Sequence, residues 1–103
     1  MGDDIIAFNT SDRTLKENII PIENPLSKVL SISGNTFTWK YNSFAGMNDT
    51  GVIAQEIEAL GLPGITTNRT DGTKAIRYEK LIPLLIEAVK ELSAKVEVLE
   101  QKL

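Results

Sequence analysis

The sequence predicts an α+β protein: a small mixed head of short strands and helices, followed by a long C-terminal helix that enters a coiled coil. Three observations carry this. "TFTWKY" (36–41) alternates apolar and polar residues, the period of a half-buried strand. "ITTNRTDGTKAIRY" (65–78) sets Asp71-Gly72 between two β-forming runs, the signal of a hairpin turn. From Tyr78 to the end, apolar residues recur at intervals of four and three, which is coiled-coil spacing.

Taken in order, residues 3–8 have an apolar centre (Ile5, Ile6, Ala7, Phe8) that suits a strand or an arm. Asn9 to Asp12 is turn chemistry, with side chains that bond nearby backbone amides. Ile19, Ile20 and Ile22 are β-branched, and Pro21 limits them to an edge strand or an extended segment. Asn24-Pro25 reads as an N-cap followed by proline at the first helical position; Leu26, Val29 and Leu30 form the stripe of that helix and Gly34 ends it. In the following strand Phe37, Trp39 and Tyr41 share one face. "NSFAGMND" (42–49) reads as a loop, too short for a long protruding hairpin. "GVIAQEIEALG" (51–61) runs from a short strand into a helix closed by Gly61, with Pro63-Gly64 beyond it.

In the last segment the d positions are Tyr78, Leu85, Leu92 and Leu99, and the a positions Ile82, Val89, Val96 and Leu103. Lys95 falls at g and Glu100 at the following e, which suits a parallel interchain ion pair. Pro83 is tolerated only in a first turn, so the helix begins about one turn before it. Leu81, Leu84 and Ile86 widen the apolar stripe where the helix packs on its own head; beyond Leu92 the stripe narrows to a seam. The alternative is an amphipathic helix folded entirely onto its own core. By pattern alone, β-branched a with leucine d favours two strands, so the heptads leave dimer against trimer open.

The chain has 103 residues, one domain's worth, and 42% hydrophobic residues, enough for a modest core that gains from self-association. With no cysteine there is no disulfide framework, and with no histidine a metal site is not expected. A net charge of −3 does not suit a nucleic-acid backbone. No run of about 18 apolar residues predicts a membrane span and the start shows no signal-peptide pattern. No cofactor is expected.

Without histidine or cysteine, the Ser–His–Asp and Cys–His mechanisms are unavailable. Hydroxyl nucleophiles with a lysine or carboxylate base remain, and Ser11 with Lys16 is the pair near a segment junction. A lysine takes a hydroxyl proton only when desolvated enough to be neutral. Spacing alone does not supply the pair: five residues span about 16 Å in a strand and turn through roughly 140° in a helix. The chain must turn between Ser11 and Lys16, or one member must come from another subunit. Read without that, "TSDR" (10–13) is a cap or turn and Lys16 a solvated charge.

"TSDRTLKENI" (10–19), "FTWKY" (37–41), "GVIAQEIEALG" (51–61) and "IRYEKLIPLLIEAVKELSAKVEVLE" (76–100) stand in an order shared by one family. Over about residues 9 to 100 the chain resembles the C-terminal intramolecular chaperone domain of phage tail spikes, tail fibres, neck appendages and endosialidases, to which a domain of myelin regulatory factor is related. The resemblance implies a homotrimer: the head followed by a parallel trimeric coiled coil with Ile82, Leu85, Val89, Leu92, Val96 and Leu99 in its seam. It implies that residues 1–11 end an upstream fibre region and that 12–103 are the chaperone, with head 12–77 and helix 78–103. The domain would fold its own upstream chain in the host cytoplasm and release itself.

Carried over residue by residue, Ser11 is the essential serine, Lys16 its basic partner and Ser11–Asp12 the scissile bond. The chemistry of that bond is not obvious, because a serine attacking its own carbonyl closes a strained four-membered ring. Attack on the preceding carbonyl, at Thr10–Ser11, passes through an easier five-membered ring. Asp12 and Arg13 belong to the same motif without an assigned role. Gln55 and Glu56 match its "AQE" signature, and equally suit the polar start of a helix. Two rivals are a trimerisation module that never cleaves and stays as a permanent cap, and an adaptor whose coiled coil takes a foreign partner.

Overall fold

A computed structural model describes residues 8–41 and 43–103. The strand or arm expected over 3–8 lies, except for Phe8, outside them. The elements in order are a 3-10 turn Arg13–Leu15, α1 Pro25–Leu30, β1 Asn35–Thr38, β2 Asn48–Gly51, α2 Ala54–Glu58, β3 Thr66–Asn68, β4 Lys74–Ile76, a second 3-10 turn Tyr78–Leu81 and α3 Ile82–Gln101. The head is thus mixed, with two antiparallel two-stranded sheets, and the chain ends in a long helix.

The hairpin expected at Asp71-Gly72 is β3–β4, paired Thr66 to Ile76 and Asn68 to Lys74. Gly72 has φ +86° and its amide donates to the Arg69 carbonyl at 3.0 Å, a turn geometry that suits glycine. Of the stretch expected as a loop, Asn42 lies outside the described residues and 43–49 is more than a loop. Asn48 and Asp49 enter β2, which pairs with β1 in the register Asn35 to Gly51 and Thr38 to Asn48, so 35–51 is itself a short hairpin. β1 ends at Thr38, earlier than the alternation suggests; Tyr41 lies beyond it and is exposed, while Phe37 and Trp39 stack edge to face at 4.9 Å.

α1 starts at Pro25, but Asn24 does not cap it with its side chain. It sits instead in the left-handed region at φ 49°, and its carbonyl accepts from the Lys28 amide. The helix ends at Leu30, ahead of Gly34, with Ser31 Oγ donating to the Lys28 carbonyl at 2.7 Å. α2 closes as expected, with Gly61 at φ +73° donating to the Glu58 carbonyl.

The core joins α2, the hairpin β3–β4 and the start of α3. Ile57, Ile65, Leu81 and Leu84 are buried, with Val29, Ile32, Val52, Leu60, Leu62 and Ile76 packed around them. Leu84 is completely covered, and burying a side chain of that size contributes about 2–3 kcal/mol. α1 lies along α3, where the Leu26 amide donates to Glu91 Oε1 at 3.2 Å.

α3 begins where Pro83 demands, with the proline in its first turn. It carries two apolar stripes. Leu81, Leu84 and Ala88 face the head and are buried, whereas Ile82, Leu85, Val89, Leu92, Val96 and Leu99 are all exposed, Val89 by 64%. Two details differ from the heptad reading. Ile86 is exposed and does not join the head-facing stripe. Tyr78 belongs to the 3-10 turn, and its hydroxyl accepts the Val52 amide at 3.1 Å, which ties it to the first hairpin.

Candidate functional site

Ser11 and Lys16 meet. Asp12 and Lys16 are both extended, and the three residues between them form the 3-10 turn, closed by Leu15 N–H to the Asp12 carbonyl and Lys16 N–H to the Arg13 carbonyl, both 3.1 Å. That reversal returns the chain on itself, so Lys16 Nζ donates to Ser11 Oγ at 2.7 Å. The turn required by the spacing argument therefore lies within a single chain.

Asp12 acquires a structural role. It is the N-cap of the turn, and its Oδ1 accepts from the Thr14 amide at 2.8 Å and from Thr14 Oγ1 at 2.7 Å. These two bonds, the side-chain one first, hold the Asp12 carboxyl below its ordinary range. The same Asp-x-Thr device recurs in the β3–β4 hairpin, where Asp71 Oδ1 accepts from Thr73 Oγ1 and Thr73 N–H and is lowered for the same reason. Thr14 escapes the motif reading, although the repetition of Asp-x-Thr at 12–14 and 71–73 was a usable signal for it.

The segment from Phe8 to Pro21 is exposed throughout, including Leu15 and Ile20, each 73% accessible. The serine and lysine consequently stand on an exposed segment, in water. Lys16 reaches Ser11, and none of the described residues buries it.

Of the signature pair, Glu56 is tied elsewhere: its Oε1 accepts from the Ser33 amide and hydroxyl, both at 2.9 Å, and Asn35 Nδ2 donates to that hydroxyl. Glu56 thereby fixes the link between α1 and β1 onto α2. Gln55 is exposed in the first turn of α2. Between the hairpins a groove of about 760 Å³ is lined by Phe37, Trp39, Phe44 and Tyr78 with Arg69 and Lys74. Among the described residues, no three His, Cys, Asp or Glu side chains converge as metal ligands, and no helix is long and apolar enough to cross a membrane.

Residues 11–66, beginning at the serine itself, match the chaperone-of-endosialidase family, whose formal name is that of a peptidase. The chain belongs to that family. It is also similar to the long tail fiber protein Gp37 of Enterobacteria phage K3, 38% identical over 100 residues, and to Gp37 of Enterobacteria phage T2 at the same identity and length. The alignments cover 90% of this chain but only 8% and 7% of those fibre proteins, so the chain spans less than a tenth of their length.

Proposed function

We propose that this is the C-terminal chaperone of a phage tail fibre or spike, which assembles as a homotrimer, directs the folding of the upstream chain and then releases itself by autoproteolysis at Ser11. Residues 1–11 then end the fibre, 12–77 form the head and 78–103 the helix that pairs through Ile82, Leu85, Val89, Leu92, Val96 and Leu99. The observation that carries the reading is the 2.7 Å contact of Lys16 Nζ with Ser11 Oγ at the first residues of the family match. The exposed stripe of α3 supports association, because a row of six uncovered aliphatic residues is covered when three copies meet.

The exposure of the pair also bears on timing. A lysine works as a base only when shielded from water, and the described residues of the single chain leave Lys16 exposed, so cleavage awaits neighbouring copies or the folded fibre. The domain is then part of a fibre precursor assembled in the host cytoplasm, and leaves after the cut. The peptidase is single-turnover, with a serine hydroxyl and a lysine amine.

Mass spectrometry of the purified, assembled protein tests this. Two fragments are expected from the wild type and one intact mass from Ser11→Ala. The fragment masses also separate a cut at Ser11–Asp12 from one at Thr10–Ser11, which differ by one serine. A wild-type trimer that stays intact favours the permanent cap instead.

A further inference from the structure

A hydroxyl, a carboxylate and a lysine lie within six residues of each other at Ser11, Asp12 and Lys16, and they compete. Electrostatics alone favours Lys16 on Asp12, because an ammonium is drawn more strongly to a carboxylate than to a neutral hydroxyl. The arrangement found is the other one. Lys16 Nζ lies on Ser11 Oγ, while Asp12 Oδ1 receives the amide and the hydroxyl of Thr14. Among the described residues no ion pair joins Asp12 to Lys16, although lysines elsewhere in the chain do pair with glutamates at 3.0 to 3.4 Å.

We propose that Thr14 is a positioning residue whose hydroxyl holds the Asp12 carboxylate inside the turn and so keeps it away from Lys16, leaving the lysine to Ser11. Any residue at 14 other than proline offers the backbone amide; only serine or threonine adds the second donor from the same place. A lysine paired with Asp12 is stabilised as the ammonium and is the wrong form to accept a proton. Thr14 thus acts through Asp12 on the protonation and placement of Lys16, without touching the reacting atoms. The inference rests on the self-cleaving reading for its consequence, but its geometry can be tested apart from cleavage.

The experiment compares the full chain as wild type, Thr14→Val, Thr14→Ser and the double variant Thr14→Val/Asp12→Asn. Thr14→Val keeps the β-branched shape and loses the hydroxyl, so its cleavage rate should fall severalfold; Thr14→Ser should keep the wild-type rate. In the double variant the introduced side-chain amide oxygen still caps the turn but cannot hold an ammonium as an ion pair, so the rate should recover. A wild-type rate in Thr14→Val overturns the proposal, as does a double variant no faster than Thr14→Val, since Thr14 would then serve only the shape of the turn. The second measurement needs no cleavage: NMR contacts of the Lys16 side chain, recorded in the Ser11→Ala background so that the chain stays whole. There the lysine should move toward Asp12 in Thr14→Val and stay clear of it in Thr14→Ser. No movement refutes the positioning role whether or not the wild type cuts itself, whereas an uncut wild type with the movement present refutes only the self-cleaving reading.

Discussion

Lys16 Nζ donates to Ser11 Oγ at 2.7 Å across a turn that the Lys16 amide itself helps to close. The proposed self-cleavage would depend on the amine carrying a lone pair when the hydroxyl gives up its proton. Lys16→Arg keeps the positive charge and the reach but holds its proton at all ordinary pH. It should fold and assemble as the wild type does and remain largely uncut, read by mass spectrometry after assembly. Cleavage at the wild-type rate in Lys16→Arg removes the lysine from the chemistry.

The Tyr78 hydroxyl occupies the space that a side chain on Gly51 needs: a Cβ there meets the phenol oxygen within contact distance. Gly51→Ala should therefore destabilise the head by about 1–3 kcal/mol, the usual range for overpacking. Tyr78→Phe loses one hydrogen bond to the Val52 amide, about 1 kcal/mol. Combined, the two should cost less than their sum, since removing the hydroxyl makes room for the methyl group. Urea denaturation of the four proteins gives the coupling; strict additivity counts against the contact.

The exposed stripe of α3 makes the proposed assembly testable. Leu92→Asp would place a carboxylate in the proposed seam of each copy, at a cost on the order of several kcal/mol per ion. It should yield monomers in analytical ultracentrifugation. Val98→Asp, on another face of the same turns and already half exposed, should leave the assembly intact. If Leu92→Asp stays assembled while Val98→Asp dissociates, the register is wrong; if both stay assembled, the head holds the copies together.

Two carboxylates, Asp12 and Asp71, are lowered by the same pair of threonine bonds. A lowered native value means that the stabilising effect is complete above the ordinary aspartate value of 3.8 and disappears as pH falls through the lowered one. The Thr14 and Thr73 amide protons should both shift upfield on acid titration, with midpoints below that ordinary value. A midpoint at or above it for either amide means that its carboxylate is free in solution.

The sequence disclosed features that are local and periodic. Asp71-Gly72 marked its hairpin because the turn needs a positive φ, and Pro83 located the start of α3 because proline is admissible only in a first turn. What escaped depends on partners far along the chain. Asn48 and Asp49 are poor strand formers and became β2 only by pairing with β1. Glu56 looked like any polar residue at a helix start, since Ser33 lies 23 positions away. On α3 two stripes overlap one residue apart, as Leu84 and Leu85 show; Leu81 and Leu84 were legible as the residues facing the head, and Ile86 was not legible as exposed. At the site the residue types were legible; the bond between Ser11 and Lys16 was not, because it spans a 3-10 turn, capped by Asp12, that the spacing does not reveal.

Every residue of α3 from Leu92 onward is exposed. As the distal half of a helix already nucleated on the head, this stretch is held by helix propagation and not by packing. In dilute solution those last turns should fray, and any surface that covers their aliphatic row also winds them up. In the proposed assembly the order of this tail would therefore rise with the number of like chains close by.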